Sequence, residues 1–255
     1  PALRGLLDSR SLPYKLLKTG ASLQVALRRG SGLPRLALAA HYDRFPGSPG
    51  ILDNSCACLQ LADFAARCPA SGGPPLLFLF TDGEEAPASS GAAGQGSFAL
   101  AQALRSLGEG CSEGLFPPVL VLDVTGRGDR LLLSSSPALL FERNGLADSP
   151  AAAAHGALVA LAIAAASRAR LEKPRLCPLP WSDDLGLALG GLGALTLSLL
   201  PAAELEVLAR GGRPATWDYL HGPGDGPELA ESAAFALVAS FLGALAAELS
   251  PAPAR

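Results

Sequence analysis

Five short polar groups stand where apolar runs stop. Leu36–Ala40 is followed by His41-Tyr42-Asp43, and Gly50-Ile51-Leu52 is followed by Asp53-Asn54. Leu76–Phe80 is followed by Thr81-Asp82-Gly83-Glu84-Glu85, Val119–Leu122 by Asp123, and Tyr219-Leu220 by His221. Two imidazoles and several carboxylates make a nitrogen-and-oxygen ligand set that suits zinc. Taken singly each group has an ordinary explanation. A His beside an Asp is commonly a surface pair, and adjacent glutamates are commonly a solvated charge run. Their common placement at the ends of apolar runs is the specific feature, because ligands of open α/β sheets gather beyond the carboxyl ends of the strands.

The elements that must position these groups follow from the hydrophobic pattern. Leu23–Leu27 and Leu36–Ala40 flank Gly30–Gly32 and read as a hairpin or as adjacent strands. Leu76–Phe80, Val119–Val124, Leu131–Leu133 and Ala194–Leu199 are further short apolar runs bounded by Gly, Pro, Ser or Asp. Longer helical patterns cover Ser55–Ala66, Ser97–Leu107, Ala151–Arg168 and Glu228–Glu248. Strand-like runs without polar alternation, separated by helices, imply a largely parallel sheet covered on both faces. Ala86–Gln95 reads as a small-residue loop, Leu200–Pro214 as irregular or a short helix, and Pro251–Arg255 as a frayed tail. With no internal repeat and no dividing linker, one domain over residues 1–255 is expected.

Composition narrows the class. The 255 residues are 49% hydrophobic and 17% charged, which excludes a disordered chain. A net charge of −3 gives no electrostatic reason for a nucleic-acid partner. Gly126-Arg127-Gly128 lacks the pattern of a nucleotide-binding loop. Five cysteines cannot all pair within one chain, so buried free thiols are expected, and these favour a reducing, cytoplasmic setting over a secreted or periplasmic one. No charged segment followed by an apolar core opens the sequence, so no signal peptide is expected. The stretches 151–166 and 229–248 are apolar but rich in small residues, and read as helices packed on the sheet rather than membrane spans.

In this order and at these places, the groups resemble the two-zinc aminopeptidase family of aminopeptidases S and Y, whose relatives include the glutaminyl cyclases. The resemblance runs from about His41 to Asp225 and adds Gly96-Ser97, Ser182-Asp183 and the closing His221…Asp225 pair. It implies a three-layer α/β/α sandwich with a mostly parallel, mixed central sheet. It implies two zinc ions bridged by Asp53, with His41 and Asp123 on one and Glu85 and His221 on the other. Glu84 would be the general base, and Asp43 would hold the second ring nitrogen of His41. A cis peptide between Asp53 and Asn54 is also implied.

On the substrate side the resemblance points to Asp183, and Trp181 and Trp217 lie near enough in sequence to wall a peptide pocket. His155 reads as a packed residue of its Ala-rich helix. Asp184 stands where the family usually has His, and Cys58 where cyclases often have cysteine, with Ala40 at the usual partner position. Three activities compete: a dizinc aminopeptidase acting on peptides, a one-zinc glutaminyl-cyclase-like acyltransferase, and a non-catalytic binding domain. All five ligand positions and Glu84 are present, which favours the first. Oligomeric state is not legible.

Overall fold

The computed structural model describes residues 2–85, 90–108 and 116–250. Its centre is an eight-stranded sheet. The strands are β1 (Lys15–Thr19), β2 (Ser22–Arg29), β3 (Leu36–His41), β4 (Leu76–Thr81), β5 (Val119–Leu122), β6 (Arg130–Ser134), β7 (Arg175–Cys177) and β8 (Ala194–Leu200). They lie in the order β1-β2-β4-β3-β5-β8-β6-β7. The β4/β3, β3/β5, β5/β8 and β6/β7 pairs are parallel, and β1/β2, β2/β4 and β6/β8 are antiparallel.

The period of two along each strand assigns the layers. On β3, Leu36, Leu38 and Ala40 face one side, where helices α2 (Cys56–Arg67), α5 (Pro150–Arg168) and α9 (Ser232–Leu249) supply Leu61, Leu158 and Phe241. Ala37 and Ala39 face the other, against Leu100 of α3 (Gly96–Gly108) and Leu187 of α6 (Asp183–Leu189). The molecule is therefore the expected α/β/α sandwich, with every residue of β3, β5 and β8 buried. Helix α1 (Ala2–Ser9) buries Leu7 in the first of these layers, while α4 (Ser136–Arg143), α7 (Ala202–Ala209) and α8 (Ala215–Tyr219) complete the chain.

Neither the hairpin nor the adjacent pairing expected across Gly30–Gly32 forms. Strand β4 lies between β2 and β3, antiparallel to one and parallel to the other. The hairpin partner of β2 is β1, joined to it through Gly20-Ala21, where Gly20 adopts φ +61°. Lys15 and Lys18 interrupt the apolar character of β1 and hide it from a hydrophobic pattern. The stretch after Leu200 contains α7, the short-helix alternative expected for Leu200–Pro214. Residues 86–89 of the expected small-residue loop, Cys111 and the expected frayed tail lie outside the described residues. Cys56, Cys58, Cys68 and Cys177 are free thiols.

By length and composition α5 and α9 would each suffice to cross a membrane, yet both pack against the sheet through Leu158, Ala162, Val238 and Phe241. Helix α5 starts where the Ser149 side chain accepts a hydrogen bond from the Ala152 amide at 3.2 Å, with Pro150 in the first turn. Ser149→Ala should cost about 0.5–2 kcal/mol of stability in urea denaturation. An unchanged midpoint would show that this cap contributes nothing.

Candidate functional site

Three of the five polar groups leave neighbouring parallel strands at the same edge. His41 ends β3, Glu84 and Glu85 follow β4, and Asp123 follows β5. Because β4 lies on one side of β3 and β5 on the other, the chain changes direction here, and a crevice opens beyond the strand ends. The other two groups arrive differently from the expected strand ends. Asp53 sits in a turn, Ile51–Ser55, that leads into α2. His221 lies on the segment after helix α8, at φ +62°, a conformation disfavoured for a residue with a Cβ.

Asp53 is the hub. Its Oδ1 lies 3.0 Å from His41 Nε2, and its Oδ2 lies 3.1 Å from His221 Nε2. Asp123 Oδ1 approaches His41 Nε2 at 3.6 Å, and Glu85 Oε2 approaches His221 Nε2 at 3.4 Å. Two three-residue groups result, His41/Asp53/Asp123 and Asp53/Glu85/His221, each able to place its ligand atoms around one ion. A third such group, His41/Glu84/Glu85, shares His41 with the first and Glu85 with the second. His41 Nε2, Asp123 Oδ1 and Glu85 Oε1 are buried without a hydrogen-bond partner. Buried polar atoms are almost always paired, so converging orphans of imidazole and carboxylate type fit a metal cation.

The framework around the hub is specific. Asp225 accepts from the amides of Leu52 (2.7 Å) and Asp53 (3.2 Å), fixing the turn that carries Asp53. Asn54, joined to Asp53 by a cis peptide, donates from Nδ2 to the Leu122 carbonyl at 2.9 Å and accepts from the Val124 amide at 3.3 Å. It thereby ties that turn to the end of β5, where Asp123 emerges. Phe45 stacks on the His221 ring with centroids 4.9 Å apart and planes 16° from parallel. Asp43 touches His41 twice: its main-chain oxygen is 3.2 Å from Nδ1, and its carboxylate is 3.5 Å away. The second Asp43 carboxylate oxygen accepts from the Glu85 amide at 3.1 Å. The ring is thus held chiefly by a carbonyl, while the carboxylate holds the turn that bears the two glutamates.

Next to the hub is a cavity of about 510 Å³, onto which Asp53, Glu84, Glu85, Asp123 and His221 open. Trp181 and Trp217 line it with Phe45, Leu179 and Leu220. Asp183 does not line it. It is fully buried and accepts a hydrogen bond from the Thr81 hydroxyl. Asp184 is likewise buried and accepts from the Thr196 amide at 3.2 Å. His155 is a packed residue, as expected, with Nδ1 2.7 Å from the Ala194 carbonyl oxygen and its ring edge-on to Phe141. Asp225, which reads in the sequence as a supporting or capping group, braces the Asp53 turn, whereas the side-chain bonds of Asn54 to the end of β5 had no signal in the sequence beyond its place after Asp53.

So many carboxylates in one buried place disturb one another. Burial, reinforced by Asp123, Asp183 and Asp53, raises Glu84 well above its usual value. Burial, with Asp53 beside it, pushes Glu85 up to about 7. Burial pushes Asp183 up to about 6 and Asp184 to about 7. For His41, burial opposes the imidazolium, but Asp123, Asp43 and Asp53 outweigh it and raise the ring. Bonding to Asp53 raises His221.

All these groups bind protons more tightly in the folded chain than in the unfolded one. Their contribution to stability is therefore present at low pH and is lost as pH rises. The window opens near the ordinary carboxylate values of about 3.9–4.3 and extends past the ordinary imidazole value of about 6.5. Asp43 and Asp53 are lowered by their histidines, so their stabilising effect is lost instead as pH falls below that window. The metal-free protein should thus melt at lower temperature at pH 8 than at pH 5. Added zinc should reverse that trend, because it competes with protons for the same atoms. Scanning calorimetry with chelator and with zinc checks this, and parallel curves would contradict it.

A family model described as Peptidase family M28 matches residues 25–225. No curated protein sequence matches the chain. Among solved structures, the LapA aminopeptidase of Legionella pneumophila superposes with a TM-score of 0.67 at 17% identity, over 98% of this chain and 64% of that one. A zinc aminopeptidase from Bacillus subtilis gives 0.61 at 16% identity, over 91% and 52%. A glutaminyl cyclase of Porphyromonas gingivalis gives 0.68 at 14% identity, over 97% and 88%. At such identities the likeness is one of fold. The chain spans about two thirds or less of the two aminopeptidases.

Proposed function

The chain belongs to peptidase family M28, and on that premise we propose that it is a zinc exopeptidase releasing N-terminal residues from peptides. His41, Asp53 and Asp123 would hold one zinc ion, and Asp53, Glu85 and His221 a second. The observation that carries this reading is the placement of Asp53, whose two oxygens each face a different imidazole. A carboxylate so placed serves two cations. When bound, the ions would supply an activated water at neutral pH and an electrophile that polarises the scissile carbonyl.

The protein's own residues have separate tasks. Glu84 opens onto the cavity, where a carboxylate can take a proton from water as general base. It would pass that proton to the departing amine. Glu85, one residue on, faces His221 and is committed to ligation. Trp181, Trp217 and Leu179 form the apolar wall that would bind the N-terminal side chain and exclude water from it. Asp183, buried behind Thr81, would act by holding the end of β4 rather than by touching peptide.

A second reading has one observation in its favour: the Porphyromonas gingivalis glutaminyl cyclase is matched over 88% of its length, more than either aminopeptidase. A one-zinc acyltransferase on this scaffold would cyclise N-terminal glutamine instead of hydrolysing a peptide bond. Parallel assays on aminoacyl anilides and N-terminal glutaminyl peptides separate the two. Release of anilide supports the peptidase, ammonia release from glutaminyl peptides alone would replace it, and a zinc-replete chain inert to both would leave a binding domain.

A further inference from the structure

One buried amide reaches Glu84 from across the loop. Gln95 Nε2 donates to Glu84 Oε1 at 3.1 Å and to the Ser182 carbonyl oxygen at 3.3 Å. The Gln95 side chain is 2% exposed, and its own Oε1 has no partner. The orientation of the amide follows from its neighbours: turning it over would set Oε1 against two acceptors, Glu84 and Ser182. A buried side chain that leaves its own oxygen unpaired while donating to a carboxylate is placed for the sake of that carboxylate.

The position of residue 95 is fixed by its surroundings. The Gly96 amide donates to the Gly83 carbonyl at 2.9 Å, closing the chain on itself beside the two glutamates. Gly83 adopts φ +86°, and a Cβ at Gly96 would overlap the Asp82 carbonyl oxygen. On the other side, a Cβ at Gly186 of α6 would come within 2.9 Å of Gln95 Oε1. Between this closure and the α6 backbone, the amide has one place to lie, against Glu84.

We infer that Gln95 is a positioning residue for Glu84, holding one carboxylate oxygen so that the other faces the cavity. This rests on the reading of Glu84 as general base. Orientation of a proton acceptor is part of what makes it effective, and a small misplacement is costly. Among the described residues, the side-chain hydrogen bonds of Gln95 go to Glu84 and to the Ser182 carbonyl oxygen, and none goes to a proposed metal ligand.

The test is a cycle of four proteins: wild type, Gln95→Met, Glu84→Gln and the double variant. Methionine preserves length and volume and removes both N–H donors. Gln95→Met should lower kcat at least about tenfold, a part of the roughly 10²–10⁴-fold that a general base contributes. KM should move less than about threefold, and bound zinc per chain should not change. In the Glu84→Gln background the same substitution should change kcat less than about twofold, since no base remains to be positioned. Equal losses in both backgrounds would show a merely structural residue and overturn the inference, as would a Gln95→Met enzyme with wild-type kcat.

Crystal structures of wild type and of a folded variant (Gln95→Met, or Gln95→Glu should the former not fold) judge the assignment without any turnover. The Glu84 carboxylate should occupy one rotamer in wild type and leave it in the variant, and an unmoved carboxylate would overturn the inference. The two levels fail separately. A wild-type chain inert to peptides contradicts the proposed activity, whereas the crystal comparison judges Gln95 alone.

Discussion

Glu84→Gln is expected to lower turnover by about 10²–10⁴-fold while zinc per chain stays at the wild-type value. The substitution preserves shape and the capacity to accept the Gln95 amide, and removes the basic oxygen. Glu84 lies next in sequence to Glu85, yet the two carboxylates have different partners: one accepts from Gln95, the other faces His221. Glu85→Gln should accordingly weaken one zinc, because a neutral amide is a poorer ligand than a carboxylate. Activity and metal content measured on the same preparations separate the two. Equal loss of metal and of activity in both variants would show that the assignment of the glutamates is wrong.

Asp53→Ala should have the larger effect on metal. Both imidazoles are within 3.1 Å of this one carboxylate, and no other side chain among the described residues faces His41 and His221 together at that range. Its removal should reduce bound zinc at both positions and take peptide hydrolysis to background. Asp225→Ala should do less. It leaves every ligand in place but frees the amides of Leu52 and Asp53, and losses of about 10–100-fold in metal affinity are typical when a supporting partner of a ligand is removed. Elemental analysis after dialysis against a graded chelator series ranks the two. An Asp225→Ala protein poorer in metal than Asp53→Ala would contradict this hierarchy.

Much of this architecture was legible because the central strands are buried on both faces. Leu36–Ala40, Leu76–Phe80 and Val119–Leu122 are uninterrupted apolar runs, and each hands a polar group to the same edge of the sheet. What escaped the pattern lies where tertiary contacts override it. β1 carries two lysines on an edge, where one side of the strand meets water. The pairing of β2 with β4 is long-range, and no local turn announces it. His221 reaches the hub on a loop after α8, so the apolar pair Tyr219-Leu220 before it mimicked a strand end. Asp183 reads in the sequence as a substrate-side carboxylate, but it is fully buried and accepts a hydrogen bond from the hydroxyl of Thr81 at the end of β4. Asp43 was legible as a partner of His41. The greater share of its main-chain oxygen in that contact was not, because side-chain identity says nothing about carbonyls.

One carboxylate, Asp53, is proposed to hold two cations between two histidine-containing ligand sets. Diffraction data collected on either side of the zinc absorption edge, from crystals grown with zinc, test it most directly. Two anomalous peaks should flank the Asp53 carboxylate, one bordered by His41 and Asp123 and the other by Glu85 and His221, with ligand distances of about 2.0–2.2 Å. A single peak beside His41 would support the one-zinc reading instead. No peak at Asp53, or zinc bound only elsewhere on the chain, would contradict a metal site at Asp53.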